Sequence, residues 1–175
     1  MTIRTQQTER FGIRLDKQYF NFGSAHFLIF GDGTREELHG HNYRATLEID
    51  AALDAGHLVG DFIVIKPIFK RCCDQLDHRT LLPAHHPQLE LRSDGVATQV
   101  AFARHDGGFD RFSIPDRDVR VLPIANTSSE LLAQHLANEF TAQLRIALPQ
   151  LQVDRLRITV EESPGQSAWV ERTYS

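Results

Sequence analysis

The stretch ELHGHNYRATLEID, residues 37–50, decides the fold because its side chains alternate in character along most of its length. Successive side chains of a β-strand point to opposite faces, so this alternation predicts a strand with one buried face. The largely apolar set reads His39, His41, Tyr43, Ala45, Leu47 and Ile49. The sequence therefore places two histidines at the head of the face that we expect to be buried.

A second strand is predicted directly upstream, over residues 18–30, where QYFNFGSAHFLIF alternates with the same period. His26 shares the parity of Phe20 and Phe22 in this segment. The segment GDGTRE, which joins the two strands, is rich in turn-forming residues and predicts a hairpin. The chain closes with another predicted hairpin, over residues 154–174, in which Glu162 shares the apolar face.

Two helices are predicted between these hairpins, in residues 59–78 and 126–148. Proline is tolerated best in a first turn, so Pro67 limits how early the first helix can begin. Asp61 precedes it and is interpreted as an N-cap or as a supporting group near the site. Thr127 and Glu130 have the spacing of a capping box at the start of the second helix.

The order of elements predicts an α+β domain with a meander-like antiparallel sheet. We expect residues 1–175 to form a single domain, with residues 84–124 as an inserted hairpin region. Within it, residues 97–115 read as two short strands about an HDGG turn.

Composition excludes several classes of function. The chain has 175 residues and a formal charge of −4, which gives no basic footprint for nucleic acid or an anionic membrane. It contains no apolar run long enough for a membrane helix, and its N-terminus lacks the apolar core of a signal peptide. Its two cysteines, Cys72 and Cys73, are adjacent and read as packing residues. We therefore expect a cytoplasmic protein without nucleic-acid or membrane partners.

The histidines on the apolar faces require partners, because burying an unpaired polar group costs about 2–7 kcal/mol. One metal ion would serve His26, His39 and His41 together, and three protein ligands leave zinc a fourth position for water or substrate. The alternative is a set of core histidines hydrogen-bonded to the backbone or to a carboxylate. From the pattern alone, both interpretations stay open.

Five motifs then resemble one family, the 6-pyruvoyltetrahydropterin and 6-carboxytetrahydropterin synthases. In order along the chain they are FNFGSAHF, LHGHNY, GHLVGDFIVIK, LDHRTLLP and VEESPGQSAW. The resemblance implies a tunnelling fold, in which a four-stranded antiparallel sheet is backed by two helices. It also implies a homo-oligomer, in which three subunits close a barrel and two barrels stack as a hexamer.

The resemblance also implies roles for particular residues. His26, His39 and His41 match the family's zinc ligands, and Glu162 matches the carboxylate that anchors the pterin ring. A carboxylate suits that role because it can accept the ring's amino group and N–H as a bidentate pair. The alternative for Glu162 is a strand-end carboxylate in solvent, and its neighbour Glu161 is expected to be solvated.

The family acts on 7,8-dihydroneopterin triphosphate, usually with a cysteine before the His-x-His motif as the base and an assisting Asp–His pair. Asp77 and His78 match that pair, although His78 could instead be a histidine at a helix C-terminus. The cysteine is missing here. Glu36 fits a family branch with an E-x-x-H-G-H motif, which cuts dihydropterin side chains for folate synthesis. The alternative for Glu36 is a solvated loop residue.

The sequence therefore predicts a zinc-dependent lyase acting on 7,8-dihydroneopterin or its triphosphate. Glu36, Asp77 and His78 are its candidate catalytic residues, with Glu162 and Ser128 as candidate pterin contacts. The alternative is a zinc- and pterin-binding member of the family without synthase activity, which would act as a sensor or as a subunit of another assembly. In that case the inserted hairpin would be a surface for a partner.

Overall fold

The computed structural model describes residues 9–174. Within this range the chain forms the α-helices α1 (Phe62–Asp74) and α2 (Ser129–Ala147) together with ten β-strands. The strands are β1 (Gly12–Leu15), β2 (Asn21–His26), β3 (His39–Ala51), β4 (Arg79–Pro83), β5 (Leu89–Ser93), β6 (Ala97–Ala103), β7 (Phe109–Pro115), β8 (Val119–Leu122), β9 (Val153–Ser163) and β10 (Gln166–Thr173). The N-terminal residues 1–8, where the sequence predicts the absence of a signal peptide, lie outside the described residues.

The predicted four-stranded antiparallel sheet is present as β2, β3, β9 and β10, with β3 at its centre. Three further strands extend it. β1 pairs with the second half of β3, and β4 and β8 continue the sheet beyond β2 in parallel orientation. The sheet is therefore mixed rather than wholly antiparallel, because β4, which follows α1, and β8, at the end of the inserted region, both join it in parallel.

The alternation in β3 determines which side of the sheet is buried. Tyr43, Ala45, Leu47 and Ile49 are fully buried, and the two helices pack on the same hydrophobic core. The predicted stripe on α2 lies in this core, with Leu132, Leu136, Phe140 and Leu144 all buried. Within the described residues, neither helix is long and apolar enough to cross a membrane.

The start of α1 confirms Asp61 as the N-cap but not the expectation that Pro67 limits how early the helix begins. Helix α1 begins five residues before Pro67, with the Asp61 side chain capping it by accepting the Ile63 amide at 2.7 Å. Pro67 is tolerated inside the helix because its own position is exposed, and so is Ile63, whose carbonyl it leaves without an intrahelical donor.

Helix α2 is capped by Ser128, which accepts the Leu131 amide at 3.4 Å, so the predicted Thr127 capping box is wrong. The Thr127 hydroxyl instead donates to the carbonyl of Phe27.

The inserted region contains the predicted hairpin as β6 and β7, and a third strand, β5, completes a separate antiparallel sheet. This sheet has its own apolar cluster, shared with the segment that follows β2: Phe27, Ile29, Leu82, Leu89, Val100 and Phe102. The insertion therefore packs against the loop between β2 and β3.

His135 makes the stability of the fold sensitive to pH. It lies on the buried side of α2, and burial lowers its pKa below the ordinary value of 6.5, although Glu139 acts in the opposite direction. The unfolded chain then binds more protons than the folded chain below this pH. We therefore expect the free energy of unfolding to fall, by up to about 1.4 kcal/mol per pH unit, as the pH decreases through 6.5.

Urea unfolding of the metal-free protein at pH about 7.5 and about 5.5 measures this effect, with His135→Leu as the comparison. The variant is expected to lose part of the pH dependence, while His26, which is also buried, contributes equally to both proteins. An unchanged pH dependence in the variant would contradict the assignment to His135.

Candidate metal centre

The register between β2 and β3 brings three histidines together. His26 pairs directly with His39, and His41 lies two residues further along the same face of β3. The ring centroids of His26 and His39 are 4.8 Å apart, those of His39 and His41 also 4.8 Å, and those of His26 and His41 5.3 Å. The imidazoles thus form a compact triangle.

Glu162 joins this triangle from β9, the neighbour of β3 on its other side. One ligand atom from each of the four side chains lies within 4.8 Å of the other three. These three histidines and one glutamate form a group that could hold a metal ion. Three neighbouring strands thus supply one cluster.

Hydrogen bonds from the backbone set the orientation of two of the rings. His26 Nδ1 lies 3.1 Å from the carbonyl oxygen of Thr127, and His39 Nδ1 lies 2.8 Å from that of Glu37. A carbonyl only accepts, so both Nδ1 atoms carry the proton and both Nε2 atoms keep a lone pair. This arrangement is typical of metal-binding histidines, whose second nitrogen donates to a fixed acceptor.

His41 gives a direct test of whether the cluster suits a metal. Its Nε2 atom is buried and makes no hydrogen bond within the described residues, although Glu162 Oε1 lies only 2.9 Å away. The contact is close but lacks the alignment of a hydrogen bond. A buried nitrogen without a hydrogen bond, beside two other imidazoles and a carboxylate, fits a metal ligand better than a core histidine.

Burial keeps His26 in the protonation state that metals require. His26 is 1% exposed, and burial lowers its pKa even though the Thr127 carbonyl acts in the opposite direction. The ring is therefore neutral at neutral pH, the form that binds metal ions.

Tyr43 lies next to His26, with its hydroxyl 2.9 Å from His26 Nε2. Burial raises the Tyr43 pKa far above its ordinary value, and the nearby carboxylates Glu162 and Glu36 raise it further. Its hydroxyl therefore stays protonated and donates to the ring in this structure.

Glu162 is held from two sides. Its Oε2 accepts a hydrogen bond from the Ser129 hydroxyl at 3.1 Å, and its Oε1 lies against His41. It is therefore part of the cluster rather than a solvated strand-end residue. The expectation that Glu161 is solvated holds only in part. Its carboxylate accepts the amide of Gly165 in the β9–β10 turn.

Glu36 lies beside the cluster on the loop between β2 and β3. Its Oε2 atom is 3.9 Å from His39 Nε2 and accepts the Leu28 amide at 3.0 Å. Glu36 is therefore partly buried and hydrogen-bonded rather than fully solvated, whereas the adjacent Glu37 is exposed.

Asp77 and His78 contact each other but lie outside the cluster. Asp77 Oδ1 accepts the Gly23 amide at 2.7 Å, and its Oδ2 lies 2.9 Å from His78 Nδ1. Burial alone would raise the pKa of Asp77, but the Gly23 amide and His78 hold it below its usual range. The His78 side chain is 89% exposed and follows the end of α1 by four residues. Within one chain His78 therefore faces outward, and Asp77 holds it there.

Two hydroxyls that contact the cluster were not assigned from the sequence, those of Ser129 and Tyr43. Ser128 caps α2, and the neighbouring Ser129 contacts Glu162. Tyr43 was included in the apolar face without a role at the site. Its parity with His41 on the same face of the predicted strand could have indicated its contact with the cluster.

Comparison with known proteins supports one family. Residues 15–173 match the family described as 6-pyruvoyl tetrahydropterin synthase. A protein of Methanocaldococcus jannaschii, named "Putative 6-carboxy-5,6,7,8-tetrahydropterin synthase", is 34% identical over 151 residues. The matched region covers 84% of this chain and 86% of that protein.

Solved structures show the same fold. The 6-pyruvoyl tetrahydropterin synthase of Plasmodium vivax is 30% identical with a TM-score of 0.84, and that of Plasmodium falciparum is 28% identical with a TM-score of 0.86. Each comparison covers 95% of this chain and 100% of the other. The P. vivax protein is also known as catalytic-residue mutants in which a glutamate is replaced by alanine or by cysteine. These structures confirm the predicted tunnelling fold.

The cluster predicts that the chain, stripped of metal, takes up one divalent cation. Removing one imidazole in His39→Ala is expected to weaken binding by roughly 100-fold or more, because only two of the three imidazole ligands remain. Calorimetric titration with Zn²⁺ or Co²⁺ measures this. The control is His85→Ala, since His85 is exposed and lies outside the cluster. Equal affinity in His39→Ala and wild type would contradict the assignment.

Proposed function

The chain belongs to the 6-pyruvoyl tetrahydropterin synthase family, and on this basis we propose that it is a zinc-dependent lyase acting on 7,8-dihydroneopterin or its triphosphate. The observation that carries the proposal is the carboxylate of Glu36 beside the three-histidine cluster, 3.9 Å from His39 Nε2. A base at this distance can reach a substrate hydroxyl held at the cluster.

Zinc is the metal that suits this donor set best. Three imidazole nitrogens, with an open position for an oxygen donor, are typical of zinc sites. When bound, zinc acts as a Lewis acid that makes the side-chain hydroxyls of the substrate more acidic. His26, His39 and His41 would hold it through their Nε2 atoms, with the Thr127 and Glu37 carbonyls fixing two of the rings.

Glu36 would remove and return the protons that this chemistry displaces. Its carboxylate is oriented by the Leu28 amide, and its backbone amide donates to the Leu28 carbonyl at 2.9 Å. The resemblance places a cysteine in this role in most of the family, and this chain has none in the loop. The P. vivax enzyme, with its catalytic glutamate, supports the substitution of a carboxylate for the thiol.

Glu162 would bind the pterin ring. Its carboxylate can accept the ring's amino group and adjacent N–H as a bidentate pair, and Ser129 orients it through the hydrogen bond to Oε2. Ser128, the candidate pterin contact at the start of α2, also caps this helix.

Asp77 and His78 would act in an oligomer of this chain. The His78 side chain is exposed and lies outside the cluster of one subunit, so a neighbouring subunit would bring its own substrate site to the pair. The outer strands β8 and β10 of the main sheet each pair with one neighbour among the described residues. Unpaired strand edges favour pairing with other chains, which supports a trimer or hexamer.

The proposal predicts turnover of at least one of two substrates. Wild-type protein loaded with zinc is incubated with 7,8-dihydroneopterin triphosphate and with 7,8-dihydroneopterin, and the pterin products are separated by chromatography. A product that requires loss of triphosphate or cleavage of the side chain is expected. Tight pterin binding without any product would contradict the lyase and favour the binding protein considered from the sequence.

The role of Glu36 predicts a difference between two neighbouring substitutions. Glu36→Gln keeps the size of the side chain but removes its basicity, so we expect kcat to fall by roughly 100-fold to 10,000-fold. Glu37→Gln, at an exposed position in the same loop, is the matched control and should retain wild-type kcat. Steady-state kinetics of both variants measures this, and equal activities would remove Glu36 from the role of base.

A further inference from the structure

Arg35 lies between the loop that carries Glu36 and the inserted sheet. Its side chain is only 16% exposed, which is unusual for arginine. The guanidinium carbon lies 5.4 Å from the ring centroid of Phe27, 5.7 Å from that of Phe102 and 5.0 Å from that of Phe112. Three aromatic rings, two of them from the inserted sheet, therefore surround one cation.

The guanidinium connects this sheet to the backbone of Glu36. Its Nε and Nη2 atoms contact Asp110 Oδ2 on β7, at 2.9 Å and 2.6 Å. Its Nη1 atom donates to the carbonyl oxygen of Glu36 at 2.7 Å. The Arg35 side chain thus bridges β7 and the backbone of the residue proposed as the base.

Other contacts fix the same loop on the inserted region. The Gln88 side-chain amide donates to the carbonyls of Gly33 and Ala103, at 3.2 Å and 3.0 Å. Gly33 has a φ of +76°, and a Cβ at this position would clash with the ring of His105. The loop therefore lies too close to the insertion to accept a side chain there.

We propose that Arg35 and Asp110 are positioning residues, through which the inserted sheet holds the Glu36 carboxylate at the metal centre. This inference rests on the proposed function of Glu36 and adds a role for the insertion. Glu36 is fixed at its carbonyl by Arg35, at its amide by the Leu28 carbonyl and at its carboxylate by the Leu28 amide.

The geometric demand on a base explains why such an anchor matters. A carboxylate that removes and returns protons of a substrate must be held close to its productive position. A misplacement of about 1 Å can cost roughly 100-fold in rate. Loops are the more mobile parts of a fold, and Glu36 lies in one. The buried cation and its carboxylate partner give this loop a rigid support that the main sheet alone does not provide.

The test compares two substitutions of Asp110 with one of its neighbour Arg104. Asp110→Asn removes the charge that pairs with Arg35, and Asp110→Glu restores it. Arg104→Ala is the matched control, because Arg104 also binds Asp110, at 3.1 Å, but is half exposed and does not contact Glu36. Each protein is loaded with zinc, and its zinc affinity is measured to show that the histidine cluster is intact.

Hydrogen exchange gives a readout that does not depend on turnover. In Asp110→Asn we expect backbone amides in the peptide covering residues 27–37 to exchange roughly 10-fold faster than in wild type, because the loop loses its anchor. Exchange in α2 and the zinc affinity should be unchanged, and Arg104→Ala should resemble wild type. Unchanged exchange in the 27–37 peptide of Asp110→Asn would overturn the proposal, whether or not the wild type turns over pterins.

Kinetics separates positioning from a merely structural contact. We expect Asp110→Asn to lower kcat by roughly 10-fold with KM nearly unchanged, and Asp110→Glu to recover part of the loss. Faster exchange with wild-type kcat would overturn the positioning role while leaving Glu36 as the base. Loss of the proposed function itself would appear differently, as wild-type activity in Glu36→Gln or as no turnover by the wild type.

Discussion

The register of β3 against its two neighbours is the constraint on which the whole site depends. Side chains alternate with a period of two, so a slip of one residue would move His39 and His41 from the buried face to the solvent face. The same register sets His26 opposite His39 and leaves Glu162 on β9 within reach of His41. The buried residues from Tyr43 to Ile49 fix this register, because they form the core beneath the helices. The apolar half of the strand thus positions its polar end.

Much of the fold could be predicted from periodicity, because the central strands and both helices carry strong local patterns. The additional strands could not. β4 and β8 are short, join the sheet in parallel and depend on partners distant in the chain, so no local alternation marks them. The start of α2 was misjudged by one residue because Thr127 and Ser128 are both favourable N-cap residues in isolation. Only the tertiary contact of the Thr127 hydroxyl with the Phe27 carbonyl distinguishes them.

The candidate site was predictable in its histidines and less so in its supporting groups. Three ionisable rings on apolar faces conflict with burial, and that conflict can be recognised in the sequence. The groups that orient the site are less visible in the sequence. The Glu37 carbonyl orients His39 and the Ser129 hydroxyl orients Glu162, and neither residue type marks such a contact. Arg35 illustrates the same limit, because its partners Asp110 and Phe112 are about 75 residues away. A long-range ion pair inside an aromatic cage leaves no local pattern.

The central claim is that the imidazoles of β2 and β3 share one zinc ion. X-ray absorption at the zinc edge of the loaded protein tests it directly, because the spectrum reports the ligand atoms and their distances. We predict three imidazole nitrogens at about 2.0–2.1 Å together with oxygen, and no sulfur. Sulfur at about 2.3 Å, which would implicate Cys72 or Cys73, or a shell made only of oxygen, would contradict the account.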